Sequence, residues 1–125
     1  MERLPEEIEW HFQRFMGLIQ KRQTSRGDLS PLKTWYEARA EKGRVYWKIF
    51  IDEQEMPTGF GDARYAYSGK TRIFGFVRRK DGAIFRAATY KQPETRTKTA
   101  IRGYVFDDSP SEYFNDYGIV YAEGS

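Results

Sequence analysis

The chain has 125 residues, enough for one domain and too few for two ordinary ones, so 1–125 reads as a single unit. It has no cysteine and one histidine, which removes disulfides, thiol nucleophiles and the usual zinc sites. The net charge of +3 is unevenly placed. Residues 1–63 sum to −1, residues 64–102 to +9 and residues 103–125 to −5, so the middle of the chain is the part that calls for an anionic partner. Aromatic residues make up 17%, far above a disordered chain, so an ordered core is expected.

The acidic start, Met1 to Glu7, lacks the apolar core of a signal peptide, and no apolar run nears the ~18 residues of a membrane span. The expectation is a cytoplasmic protein with no membrane partner. In chain order, Pro5 suits the first helical position, and Glu6, Glu7 and Glu9 suit the positive end of the helix dipole. Ile8, Phe12, Phe15, Met16 and Ile19 then recur at helical spacing, predicting a helix that stops near Gln23 to Gly27. Ser30-Pro31 reads as a cap and first turn, with Leu32, Trp35, Tyr36 and Arg39 on one face and Gly43 as the stop. That predicts a second, short helix over 31–42, and a helical part of 1–43 ahead of a β-rich part of 44–125.

Val45, Trp47, Ile49 and Ile51 alternate with Tyr46, Lys48 and Phe50, the period of a strand. Residues 53–70 hold Pro57, Gly59, Gly61 and Gly69 and read as a long loop. Ile73–Val77 and Ala83–Ala87 flank Lys80-Asp81-Gly82, a hairpin signal because Asp-Gly tolerates positive φ. Gly75 within the first arm marks a bulge or a close backbone approach. Residues 91–99 read as an exposed basic loop and Ala100–Phe106 as a further strand, and Tyr113, Phe114, Tyr117, Ile119, Val120 and Tyr121 predict a tail that packs. The architecture expected is α+β: one or two N-terminal helices on an antiparallel sheet of about three to five strands with a central hairpin.

The stretch Phe74-Gly75-Phe76-Val77, Asp81 to Lys91, Pro93, Arg102 to Asp107 and Tyr117-Gly118 resembles a family of small proteins encoded by tailed bacteriophages. Arg86 stands where that family usually has Lys, and Tyr104 where it usually has Asn. The resemblance covers about the last 50 residues, implies a phage origin, and carries over no functional residue.

No catalytic constellation is legible. His11 lies off the apolar stripe of the first helix and reads as a boundary residue. Asp107, Asp108, Glu112 and Asp116 match no calcium loop and read as a solvated acidic tail. Ser68-Gly69-Lys70-Thr71 ends like a phosphate-binding loop, but Arg64 stands where the first glycine is needed, leaving at most an anion-binding turn. The stronger lead is the mixture of cations and rings in 64–102. Alternation would put Arg72, Phe74, Phe76 and Arg78 on one face and Ile73, Gly75, Val77 and Arg79 on the other. An exposed Phe74–Phe76 face would stack nucleic-acid bases, whereas a buried one is core.

The candidate binding residues are Arg72, Phe74, Phe76, Arg78, Arg86, Tyr90, Lys91, Arg96, Lys98 and Arg102. They suit a non-catalytic phage-type accessory protein that binds an anionic partner (nucleic acid, a nucleotide or an acidic host protein), with countering a host defence as one such role, and that needs no cofactor. The alternative is a virion component, such as a capsid-decorating or tail-associated protein. The acidic tail neutralising the basic segment is the plain structural explanation of the charge pattern. A homo-oligomer is left open.

Overall fold

The computed structural model describes residues 4–29, 34–55, 66–96 and 100–120. One long helix, α1 (Pro5–Asp28), precedes five strands: β1 (Thr34–Lys42), β2 (Tyr46–Glu55), β3 (Ala66–Arg78), β4 (Ala83–Phe85) and β5 (Ile101–Tyr104). A short 3-10 turn, Pro110–Tyr113, follows. The strands form one antiparallel sheet in the order β1-β2-β3-β4-β5, so each strand pairs with its neighbour in sequence.

The helix begins at Pro5 with Glu6 and Glu7 in its first turn and has Arg26 in its last. Its buried stripe is Ile8, Phe12, Phe15, Ile19, Gln23 and Gly27, the expected periodicity carried two turns further. The stripe runs on because β1 comes close: a Cβ on Gly27 would stand 2.6 Å from the carbonyl oxygen of Thr34. The expected second helix is corrected. Residues 34–42 are the edge strand β1, and 31–33 lie outside the described residues. Tyr36, Ala38, Ala40 and Lys42 pair with Glu53, Ile51, Ile49 and Trp47 and face α1, which period-two spacing allows as readily as a helix does.

The expected loop over 53–70 is corrected at both ends, where 53–55 and 66–70 are strand. β2 runs to Glu55 and β3 starts at Ala66, leaving 56–65 outside the described residues. Ser68 to Thr71 therefore lie within β3 rather than in an anion-binding turn. The Asp81-Gly82 turn is as expected, with Gly82 at φ 76°, a conformation that favours glycine. Asp81 accepts the N–H of Ala83 at 3.1 Å and closes the turn.

Two irregularities set the rest. On β3, Ile49 pairs with Gly75 but Phe50 pairs with Ile73, so Phe74 is an extra residue in a bulge. On β5, Ile84 pairs with Gly103 but Phe85 pairs with Ile101, so Arg102 is the extra residue. The chain after β5 docks at both places. Ile119 N–H donates to the Phe74 carbonyl at 3.1 Å, and the Arg102 guanidinium donates to the Val120 carbonyl. Ile119 also sits where a Gly75 side chain would go, its Cγ1 2.3 Å from an ideal Cβ.

One face of the sheet is thus covered by α1 and by the 105–120 segment. Its core joins Ile8, Phe12, Phe15 and Ile19 of α1 to Trp47, Ile49, Ile51, Phe74, Val77 and Ile84 of the sheet, and to Val105, Phe114 and Ile119. Phe12 and Trp47 stack with ring centroids 4.0 Å apart and planes 5° from parallel. Burial of such rings supplies most of the stabilisation, about 1.5–3 kcal/mol for each large apolar side chain. Among the described residues no helix is long and apolar enough to cross a membrane.

Candidate nucleic-acid interface

The opposite face begins with strand alternation. With Trp47, Ile49 and Ile51 committed to the helix side, Tyr46, Lys48 and Phe50 of β2 point the other way. Pairing extends this face in rows. Tyr46 stands beside Arg78, and Ala83 beside Tyr104; Lys48 stands beside Phe76, Phe76 beside Phe85, and Phe85 beside Ile101; Arg39 stands beside Phe50, and Phe50 beside Ile73. Phe76, Ala83 and Phe85 form a second buried cluster with Tyr46, Ile73, Ala87 and Ala100 packed on it. The Tyr46 ring meets those of Phe76 and Phe85 edge-on, at 6.0 and 5.6 Å.

The bulge overturns the expected alternation. Phe74 and Phe76 belong to different cores on opposite faces, at 2% and 0% exposure, so neither ring is open to a base. Arg72 follows Phe74 to the helix side, where its guanidinium lies over the Tyr117 ring. Arg78 goes to the far side, over Phe85. Arg86 is half-buried and Arg102 is turned toward Val120, with burial holding its pKa below the usual arginine value. Tyr90, Lys91 and Arg96 are exposed, and Lys98 lies outside the described residues. The ten expected residues therefore do not make one surface.

Among the described residues, three large apolar side chains stay exposed on the far face. Tyr90 is 54% exposed, Ile101 39% and Tyr104 38%. Tyr90 is placed by the loop after β4. Ala87 bridges Pro93, the N–H groups of Ala88 and Thr89 donate to the Gln92 carbonyl, and Glu94 N–H returns to the Arg86 carbonyl. This fold-back lays the Tyr90 ring 5.4 Å from Phe50, across β3. Tyr104 stands on β5, three strand spacings from β2, or about 14 Å. Ile101 was legible only as a strand residue and Tyr104 as one of the rings among the cations of 64–102, and the signal that exposes them is the end of the sheet.

The cations divide by their partners. Arg39 donates to Asp52 at 2.6 Å and to Glu41 at 3.1 Å, and its pKa is raised by the bond to Asp52. Arg78 grips Asp81 with two nitrogens, at 2.7 and 3.0 Å, and is raised in the same way. Burial works against ionising Asp81. The hydrogen bonds from Arg78 and Ala83, with the charges of Arg78 and Lys80, outweigh it and hold its carboxyl below the usual range. These arginines are compensated within the fold. Lys80, in the turn between β3 and β4, Lys91, next to Tyr90 in the chain, and Arg96 are exposed. The β1 side of this face, with Glu37, Glu41 and Asp52, is of mixed sign; the β4–β5 side is positive.

At one end of the sheet, the two hairpin turns are tied together. Arg79 donates to the carbonyls of Gly43 and Arg44 at 2.8 and 3.2 Å, and its N–H donates to Val45. Lys42 and Arg44 are also exposed at this end, Lys42 toward the α1 side, and were hidden in sequence by the negative sum of 1–63.

The acidic tail divides: Asp108 and Glu112 are exposed, as expected, while Asp107 and Asp116 turn to partners in the fold. Asp107 accepts the Tyr113 hydroxyl at 2.6 Å and the Tyr104 N–H at 2.9 Å, and Asp116 pairs with Arg22 at 2.7 Å. The bond to Asp107, with some burial, pushes the Tyr113 phenol up to about 12. Among the described residues no three His, Asp or Glu gather as metal ligands. His11 is half-buried between the rings of Trp10 and Phe106.

No protein-family model matches this chain, no curated protein does, and no solved structure does.

Proposed function

We propose that the chain is a non-catalytic accessory protein of phage type that binds single-stranded nucleic acid on the face of its sheet turned away from α1. The observation that carries this reading is that Tyr90 and Tyr104 stay exposed on a segment, 80–104, whose exposed charged side chains among the described residues are Lys80, Lys91 and Arg96, all cations. A base stacks on a phenol ring whatever its identity, and each such contact is worth about 1–3 kcal/mol. The cations neutralise phosphates on either side. The compensated pairs Arg39–Asp52 and Arg78–Asp81 hold the platform rather than the ligand.

The test is fluorescence anisotropy with a labelled single-stranded oligonucleotide at several salt concentrations. With three cations in contact, the slope of log affinity against log salt should be about −2. The double variant Tyr90→Ala with Tyr104→Ala should lose at least tenfold in affinity. Its urea stability should fall by no more than about 2 kcal/mol, because both rings already stand partly in water. Full affinity in the folded double variant refutes the platform. Recovery of the protein only with capsid or tail proteins would make this surface an assembly interface instead.

A further inference from the structure

A second cluster of cations and rings lies on the other side of the sheet, at the turn that ends the packed tail. Asn115 accepts the N–H groups of Tyr117 and Gly118 at 2.8 and 3.2 Å, and its own N–H donates to the Gly118 carbonyl at 3.0 Å. The turn is pinned to β3 by the bond from Ile119 to Phe74. It presents Tyr117, which is 59% exposed.

Two arginines from distant parts of the chain meet this ring. The Arg26 guanidinium carbon lies 4.8 Å from the Tyr117 centroid and 3.8 Å from that of Tyr36. That of Arg72 lies 5.3 Å from Tyr117. Neither is compensated by a carboxylate among the described residues. Arg26 donates to the Gln23 amide oxygen and to the Asp116 backbone carbonyl, each at 3.3 Å, both neutral acceptors. The Asp116 carboxylate itself is taken by Arg22. Arg72 is exposed, and the Tyr117 ring is its partner. Beside this run of planar groups, Arg86, Asn115, Tyr117, Gly118, Ile119 and Val120 line a shallow hollow of about 240 Å³.

We propose that the exposed surface at Tyr117 binds a phosphate group, held by the guanidinium groups of Arg72 and Arg26 with the ring as their support. A guanidinium stacked on a ring keeps its edge N–H donors available in a fixed plane. A carboxylate has two oxygens in one plane and is satisfied by one such fork. A terminal phosphate has three oxygens and suits two forks arriving from different directions. Arg86, which lines the adjoining hollow with Tyr117 and has an interaction of its own, adds its charge nearby. The site goes beyond the function proposed above and does not rest on it, since Tyr90 and Tyr104 occupy the opposite face.

The experiment is an NMR titration of the full chain, reading the Arg26 and Arg72 Nε–H signals and the Tyr117 ring at constant ionic strength. Inorganic phosphate should give saturable shifts at these three residues, and chloride should not. Arg72→Ala should weaken phosphate binding about tenfold, and Arg72→Lys, which keeps the charge but not the fork, should recover only part of it. Arg72 is exposed, so these variants should fold as the parent does. Phenyl phosphate and oligonucleotides with and without a 5′-phosphate separate the sources. Preference for phenyl phosphate indicates a small phosphomonoester, and preference for the 5′-phosphorylated strand indicates a nucleic-acid end. Shifts that stay linear in phosphate, or that are unchanged in Arg72→Ala, overturn the proposal. Tyr90→Ala should leave these shifts intact, so failure of one site is not failure of the other.

Discussion

On the face under α1, Trp47, Ile49, Ile51, Phe74 and Val77 share one core with four buried side chains of the helix and with Phe114 and Ile119 of the tail segment. On the other face, Phe50, Phe76 and Phe85 are as deeply buried, at 2% or less, yet no helix of the described residues lies over them. They are closed by their own neighbours: Tyr46 edge-on to two of the rings, the guanidiniums of Arg39 and Arg78 over Phe50 and Phe85, and Tyr90 folded back from its loop. A face closed by a helix ends in water-facing helix side chains. A face closed by single rings and guanidinium groups leaves those groups half in water, where they can meet a ligand. The difference between the faces is therefore one of covering element, not of apolar content.

The comparison breaks first at its cores. Phe12→Ala on the helix side and Phe76→Ala on the far side should each cost about 3–5 kcal/mol in urea denaturation, because each removes a fully buried ring. A loss below about 1 kcal/mol for Phe76→Ala would mean that the far face is a loose surface, and that Tyr90 closes nothing.

A smaller effect tests how α1 guards the sheet. Gln20 lies in the helix, and its side-chain amide treats the edge strand as a neighbouring strand would. Its Nε2 donates to the Tyr36 carbonyl at 3.0 Å, and its Oε1 accepts the Ala38 N–H at 2.8 Å. Gln20→Leu leaves both groups without that partner and should cost about 1–3 kcal/mol. It should also increase self-association, seen in sedimentation as the protein concentration rises, because an uncovered edge pairs with other strands. A monomeric, fully stable variant would show that the amide is not what protects β1.

The smallest effect concerns the tail. Tyr113 titrates near 12 in the folded chain and about 10 when unfolded, so the folded state holds its proton more tightly. That contribution is complete below pH 10 and is lost as the pH rises from 10 to 12. Tyr113→Phe should remove the part of the alkaline stability loss that falls in this window, with little change near neutrality beyond the lost bond to Asp107. An unaltered alkaline profile would detach Tyr113 from the docking of the tail.

Residues whose fate is set by near neighbours were legible in the chain itself. Pro5, the early glutamates and the stripe from Ile8 to Ile19 specify α1, since helical contacts run only three or four residues along the sequence. Asp81-Gly82 specifies its hairpin, because a positive φ is a local demand. The alternation around Trp47 specifies β2 for the same reason. Segment 34–42 carried no such decision. Trp35, Tyr36 and Arg39 fit one helical face as well as a strand, and it is pairing with β2 and contact with α1 that make it an edge strand. The bulge at Phe74 arises from a register shift against Ile49 and Phe50, and it alone sends Phe74 and Phe76 to opposite faces. The sum of charges marked 64–102 as basic, but which cations stay uncompensated depended on where Asp52 and Asp81 came to lie. Tyr117 meets Arg26 and Arg72 only because the tail returns to β3. Periodicity fixes a residue's place within its own element; exposure, pairing and shared sites depend on contacts between elements, and those exist only once the chain has closed on itself.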